Sequence, residues 1–308
     1  MQNAQNTDAE KSRILFAAIA GHTNAGKSSL LNAMIGEKIA SVSPKPQTTR
    51  TRITGIRNIG QTQLVFTDTP GLHRARTKLG DEMLRAAREA VSDIDCVIFM
   101  QDCTKPFGEQ ERIMLENLSK QGTPVIVVFN KIDLLADKTQ LAPMLTEAEA
   151  LWHPAAIIPI SVTRNDGISE LTDELMKLAA EGPHYFPEDM LTDQPERVLA
   201  AEIVREQLLW LLDDEVPHGI AVVTEEFKER EDKDILNISV LIYCEKESHK
   251  RIIIGKNGAM LKKAATAARK KLEDFFRIKV NLQTWVKVKE DWRNRDAVIR
   301  NFGLNTGE

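Results

Sequence analysis

Nine consecutive residues, Gly21-His22-Thr23-Asn24-Ala25-Gly26-Lys27-Ser28-Ser29, carry the strongest chemical signal in this 308-residue chain. The first eight fit G-x-x-x-x-G-K-[ST], directly after the apolar run Ile14–Ala20 and at the head of the helical stretch Lys27–Ile35. Glycines at these positions let the backbone curl until successive N–H groups face phosphate oxygens, at a helix N-terminus whose dipole favours anions. Lys27 would then reach the β- and γ-phosphates of a nucleotide, and Ser28 would ligate Mg²⁺.

Two further motifs say which nucleotide. Asp68-Thr69-Pro70-Gly71-Leu72 follows the apolar run Gln63–Thr67, so Asp68 is placed to hold Mg²⁺ through water and the Gly71 N–H to bond the γ-phosphate. Asn130-Lys131-Ile132-Asp133 follows Val125–Phe129. An Asp133 carboxylate accepts from guanine N1–H and its 2-amino group, whereas adenine offers no donor at N1, so GTP is preferred over ATP. Lys131 would pack along the base and Asn130 would tie this loop to the phosphate loop. Ser161-Val162, after Ala156–Ile160, would bring backbone to guanine O6. Leu72 cannot polarise an attacking water, so slow intrinsic hydrolysis is expected, and His73 is weighed as a base and set aside as a solvated loop side chain.

These motifs need strand ends to stand on. Up to about residue 180, strand-length runs (Ile14–Ala20, Ile53–Ile59, Gln63–Thr67, Cys96–Gln101, Val125–Phe129, Ala156–Ile160) alternate with helical stretches (Lys27–Ile35, Asp81–Val91, Glu109–Gln121, Gln140–Leu151, Ile168–Ala180). That rhythm predicts an α/β fold with a mixed, mostly parallel sheet flanked by helices, and Gly60 predicts a hairpin with one antiparallel edge strand. Pro183, Pro187 and Pro195 mark 181–195 as a linker. A second, smaller α+β unit then reads as helix Glu196–Leu212, strands Gly219–Phe227 and Ile235–Glu245, helix Ala259–Phe276 and strand Lys279–Lys287. The divisions expected are a disordered 1–13, a nucleotide unit 14–180, the linker, and a second unit 196–308.

Charge separates the two units. Between Lys246 and Arg300 sixteen Lys and Arg face six Asp and Glu, about +10, which leaves about −14 for the remainder of a chain whose net charge is −4. Inside that stretch Ile254-Gly255-Lys256-Asn257-Gly258 leads into a helix bearing Lys262, Lys263, Arg269 and Lys270. A G-x-x-G turn beside such a helix suits a polyanion. Trp285, Lys287 and Lys289 share one strand face, open to stacking or to plain packing, while Val286 and Val288 take the other and Phe275 and Phe276 belong to the core. With 42% hydrophobic residues and no apolar run of membrane-spanning length, the chain reads as soluble and globular, cytoplasmic by default. Cys96, Cys103 and Cys244 lack metal or disulfide spacing and read as free thiols.

The nucleotide motifs resemble those of the translation-factor-related P-loop GTPases. By that resemblance Thr49, in Gln47-Thr48-Thr49-Arg50, is the first-switch Mg²⁺ ligand, with Thr48 the alternative, and Asn24 together with Leu72 raises K⁺ activation as a hypothesis. The second unit resembles a bacterial-type (type II) KH domain, whose G-x-x-G loop grips single-stranded RNA. From about Ile14 to Leu304, with Lys45-Pro46-Gln47-Thr48-Thr49-Arg50, Asp68–His73, Phe186-Pro187-Glu188-Asp189 and Trp285–Lys289 as its marks, the chain is similar to the Era family of bacterial GTPases. That resemblance implies binding to the single-stranded 3′ end of 16S rRNA, assistance to small ribosomal subunit maturation, and peripheral contact with anionic membrane; a monomer is expected. His22-Thr23 and Val162 depart from the family pattern at positions that act mainly through backbone. Two other functions remain open at this stage: a GTP-dependent RNA-modifying enzyme, and an RNA-binding protein whose nucleotide site is structural.

Overall fold

Val125–Asn130 buries every one of its six residues, as a continuous apolar run does when helices cover both faces of a parallel sheet. It is the fifth strand of a sheet in the computed structural model, which describes residues 11–45, 48–71, 77–89 and 94–304. The elements are β1 (Arg13–Gly21), α1 (Lys27–Ile35), β2 (Ile53–Ile59), β3 (Thr62–Asp68), α2 (Lys78–Glu89), β4 (Cys96–Asp102), α3 (Glu109–Gln121), β5 (Val125–Asn130), α4 (Ala142–Trp152), β6 (Ala156–Pro159), α5 (Ile168–Leu178) and β7 (Ala180–Glu181). The strands lie in the order β2-β3-β1-β4-β5-β6, with β7 beside the start of β1. All pairings are parallel except β2 with β3 and β7 with β1, so the Gly60 hairpin does produce an antiparallel edge.

Alternation along the strands feeds two cores. Leu15, Ile19, Ile98, Met100, Ile126 and Val128 face one side with α1 and α5, while Val97, Phe99, Val127 and Phe129 face the other with α3 and α4. Each fully buried Leu or Ile contributes about 1.5–3 kcal/mol relative to exposure. This rigid centre sends Gly21, Asp68, Asp102 and Asn130 to the carboxyl ends of neighbouring strands, where ligands bind in open α/β sheets.

The second unit consists of α6 (Glu196–Leu211), β8 (Ala221–Glu229), β9 (Ile235–Cys244), α7 (Glu247–Ile254), α8 (Ala259–Phe276), β10 (Lys279–Val288) and α9 (Asp296–Asn301). Its sheet runs β10-β9-β8, with β10 parallel and β8 antiparallel to β9. Ala200, Val204 and Leu208 of α6, like Ala264, Ala268 and Leu272 of α8, recur every four residues and close over Ile238, Val240 and Ile242.

The structure adds detail to the expected divisions at four places. Arg13 already belongs to β1, and Lys11 and Ser12 are tied to Glu181 and Gly182, 170 residues away along the same chain; 1–10 lies outside the described residues. The stretch 181–195 connects the units but is bonded down as a strap: Gln63 Oε1 accepts from the Tyr185 and Phe186 amides, and the Ile56 amide donates to Leu191. Ala180, expected in a helix, pairs instead with Ile14. Ile252–Ile254, a β-branched run, ends the unexpected helix α7, where Ile253 is buried and Ile252 is 48% exposed. Gln47, Leu72, His73 and Val91 lie outside the described residues.

Candidate functional site

The phosphate loop turns on residues that accept positive φ: Gly21 at 139°, Asn24 at 62° and Gly26 at 105°. A Cβ on Gly26 would stand 2.3 Å from Asn130 Nδ2, so glycine there is what lets the loop touch the base-side motif. Lys27 is buried and its Nζ donates to the carbonyls of Gly21 (3.2 Å) and His22 (2.9 Å). Burial pushes its ammonium down to about 8, against the opposing pull of Asp68. The His22 ring meets the Thr23 hydroxyl and carbonyl at the loop's outer edge, Ala25 is buried, and Ser29 lines the same cleft.

Three oxygens converge beside this loop. Ser28 Oγ lies 2.7 Å from Thr49 Oγ1 and donates to Asp68 Oδ2 at 2.6 Å, and Thr49 Oγ1 donates to the same Asp68 oxygen at 3.2 Å. Among the described residues Asp68 Oδ1 is buried with no hydrogen-bond partner, and burial raises the carboxyl's pKa despite Lys27 nearby. An all-oxygen set with one orphaned carboxylate oxygen fits a hard divalent cation such as Mg²⁺. Thr48 turns away: its hydroxyl donates to Lys45 and meets Ser43. Thr69 donates to Ile19, and Gly71 sits against Thr23, where a Cβ would approach Thr23 Cα to 2.8 Å. Asn24 Nδ2 donates to Pro44, joining the phosphate loop to the segment before Thr49.

The base-side cluster is equally interlocked. Asn130 Nδ2 donates to Ala25 at 2.9 Å while its Oδ1 accepts the Val162 amide at 3.2 Å. Ser161 Oγ donates to Asp133 Oδ1 at 2.6 Å, which holds Asp133 below the usual carboxylate range. The Ser161 amide donates to the Asp166 carbonyl at 3.0 Å, closing the turn that holds the hydroxyl on Asp133. Ile132 is buried beneath the turn. Lys131, at φ 71°, pairs with Asp102 Oδ2 at 2.6 Å. Asp102 was invisible in the motifs because it ends a different strand.

Further along the chain, Gly255 (φ 74°) and Gly258 (φ 75°) bracket Lys256 and Asn257, both exposed, at the N-terminus of α8. Ile254 is half-buried, and Lys262, Lys263, Arg269 and Lys270 are all exposed along the helix. Trp285 is 47% exposed with Lys287 on its face, while Val286, Val288, Phe275 and Phe276 pack on the core. Lys271 differs, being paired with buried Glu206 of α6. Cys96, Cys103 and Cys244 are buried free thiols, their pKa values pushed up by burial.

A further set joins the two units and left no motif. Arg50 and Arg205, both buried, donate across the junction to Ile220 and to Thr48, and Trp292 lies under Arg50. No linear pattern could reveal them.

A phosphate loop, an all-oxygen cation set and a guanine-type base cluster on one doubly wound sheet, followed by a G-x-x-G turn on a small α+β sheet, define a P-loop GTPase joined to a KH domain. Residues 16–131 match the family described as 50S ribosome-binding GTPase and residues 215–293 match the KH domain. GTPase Era of Ruminiclostridium cellulolyticum is 46% identical over 95% of this chain and 98% of its own, and GTPase Era of Clostridioides difficile 46% over 94% and 98%. A crystal structure of Era with MgGDPNP and nucleotides 1506–1542 of 16S ribosomal RNA superposes with TM-score 0.92 at 38% identity, covering 96% of this chain and 99% of that one. A point variant of Aquifex aeolicus Era bound to GDP·AlF₄⁻ gives 0.91 at 38%, covering 95% and 99%. The chain belongs to the Era family of GTPases.

Proposed function

We propose that this chain is a GTP-driven switch that binds the single-stranded 3′ end of 16S rRNA and assists assembly of the small ribosomal subunit. The observation that carries the reading is the presence of a complete nucleotide site and an exposed G-x-x-G turn with a basic helix in one chain. Gly21–Ser29, Asp68–Leu72, Asn130–Asp133 and Ser161–Val162 would hold the guanine nucleotide; Ser28, Thr49 and Asp68 would hold Mg²⁺, which when bound neutralises charge developing on the phosphates. Ile254–Gly258 with Lys262, Lys263, Arg269 and Lys270 would grip the RNA backbone. The functional division is 14–180 for GTP, 181–195 as connector and 196–308 for RNA.

GTP ordering the segments around Thr49 and Asp68–Gly80 biases the two units towards an arrangement that exposes the RNA groove, and hydrolysis releases it. With leucine at position 72, turnover is slow. Asn24 would support K⁺ activation, and equal turnover in Na⁺ and K⁺ buffers would remove that part. We place the protein in the cytoplasm as a monomer, its basic helix also suited to peripheral contact with anionic lipid at the inner membrane. Among the described residues no helix is long and apolar enough to cross a membrane.

The test is equilibrium binding of a short RNA copying the 16S 3′ end, with GTP analogue, GDP or no nucleotide, across a salt series. Tight, sequence-dependent binding favoured by the analogue is expected. Weak binding that ignores sequence and nucleotide and fades with salt would overturn the assembly switch.

A further inference from the structure

Three consecutive residues of the first unit point in three directions. The Thr48 carbonyl accepts from Arg205 of α6. The Thr49 hydroxyl meets Ser28 and Asp68. Arg50, 4% exposed, crosses into the second unit, where it donates to the carbonyls of Ile220, of His218 at 3.1 Å and of Pro217 at 3.4 Å.

Arg50 has an unusual environment for a buried cation. These hydrogen bonds go to neutral carbonyls, its Nε is buried without a hydrogen-bond partner among the described residues, and its guanidinium carbon lies 5.8 Å from the centre of the Trp292 ring. Burial and the repulsion of Arg205 and Arg293 work against its charge, and Glu202 and Glu245 work for it. Burying a cation on carbonyls is expensive, so such a contact persists only while the surroundings over-determine it.

Trp292 receives the second nucleotide-facing segment as well. Its indole N–H donates to Gly219 at 2.8 Å, bracing the same 217–220 turn that Arg50 grips. Its fully buried ring sits in a cluster with Leu79 and Met83 of α2, the helix that follows the Asp68–Gly71 motif, and with Ala221 and Ile299. The cluster that holds Trp292 therefore reaches the helix after Asp68, while the ring itself lies under Arg50, before Asp68.

We propose that Arg50 is a positioning residue through which the second unit holds Thr49 against Ser28 and Asp68, with Trp292 as its seat. Thr48 to Arg50 spans at most about 7 Å of chain. Thr49 cannot withdraw from Asp68 without disturbing either the Arg205 contact before it or the Arg50 contact after it. Conversely, a second unit that moves off the 217–220 seat pulls on Thr49. Occupancy of the cation site and placement of the second unit become one equilibrium.

The role rests on the proposed nucleotide-dependent RNA switch, and the test separates the two. Full-length wild-type, Arg50→Ala and Arg50→Lys proteins are compared for GDP and non-hydrolysable GTP-analogue affinity at fixed Mg²⁺, and for affinity for the 16S 3′-end RNA with each nucleotide. GDP makes no demand on Thr49, so in Arg50→Ala its affinity should stay within about twofold, while the analogue weakens by about tenfold or more, an ordinary size for coupling between sites. The nucleotide dependence of RNA binding should disappear with nucleotide-free RNA affinity unchanged. Arg50→Lys keeps the charge but loses the fork that reaches several carbonyls, and should show the same selective loss to a smaller degree, which preserves the test should Arg50→Ala fail to fold.

An unchanged analogue-to-GDP ratio in the folded variants would overturn the proposal. Equal loss for both nucleotides would also overturn it, because Arg50 would then only support the fold. Wild-type RNA binding that ignores nucleotide would instead sink the switch reading, while the analogue-to-GDP ratio would still decide the role of Arg50.

Discussion

Lys131 Nζ and Asp102 Oδ2 stand 2.6 Å apart, one just past the end of β5 and the other at the end of β4, so adjacent strands pin the lysine proposed to pack along the base. Burial works to raise the Asp102 carboxyl, but hydrogen bonds from Lys131 and Thr104 win and hold it below the usual range.

Asp102→Asn should therefore weaken guanine nucleotide binding without unfolding the protein. The pair is partly exposed, with 29% and 15% of the two side chains accessible. An effect of about 1 kcal/mol, roughly fivefold in Kd, is expected. Titration of fluorescent GDP against both proteins checks it, and equal affinities would show that Lys131 needs no partner.

Ser161→Ala should change the pH dependence of binding more than its plateau. With ionised Asp133 as the proposed guanine acceptor, affinity is complete above the Asp133 pKa and is lost as pH falls through it. The Ser161 hydroxyl depresses that pKa. Wild-type protein should hold GDP into mildly acidic buffer, and the variant should begin to release it at higher pH. Superimposable curves of Kd against pH would end this account.

Gly258→Asp is a cleaner probe of the RNA surface than Gly255→Asp. A Cβ on Gly255 would meet Met260 Cβ at 2.7 Å and its amide at 2.9 Å, whereas one on Gly258 meets nothing within 4 Å. At Gly258 the change costs only the left-handed backbone penalty, about 1–2 kcal/mol, and adds a charge in the phosphate path. RNA affinity should drop by roughly tenfold or more with GTP hydrolysis unchanged. Loss of both activities would mean that the turn is structural.

Glu206→Ala tests the junction. Glu206 is 1% exposed and its Oε1 receives Lys38 at 2.5 Å and Lys271 at 2.9 Å, one lysine from each unit. Removing it strands two half-exposed ammonium groups at a seam. A loss of about 2 kcal/mol is expected, below the range for fully buried pairs because both lysines retain solvent. Urea unfolding measures it, and a midpoint within error of wild type would show that the seam contributes nothing.

What could be read in advance was what is local in sequence. The phosphate loop, Asp68–Gly71 and Asn130–Asp133 announce themselves because one strand end carries all the residues of each motif. Thr49 was separable from Thr48 only by resemblance until their hydroxyls were seen to point apart. Asp102, Arg50 and Trp292 act across strands or between units, 29 residues from Lys131 in the first case and about 170 between Arg50 and its carbonyls in the second, so no spacing rule marks them. Helix α7 was absent from the expected order because a run of three β-branched residues, Ile252-Ile253-Ile254, carries little helical signal, yet it ends a helix with Ile253 buried.

The strap has one more effect. β2 is the outermost strand of its sheet, and an open strand edge is a template for pairing with another chain. Residues 188–194 lie along it: Leu191 takes the Ile56 amide, Thr192 donates to the Thr54 carbonyl, and Asn58 reaches Glu188. The connector thus doubles as an edge guard against self-association. Movement between the units that left the strap seated would keep the sheet sealed through every turnover, whereas movement that peeled it away would open an aggregation-prone border each time GTP was spent.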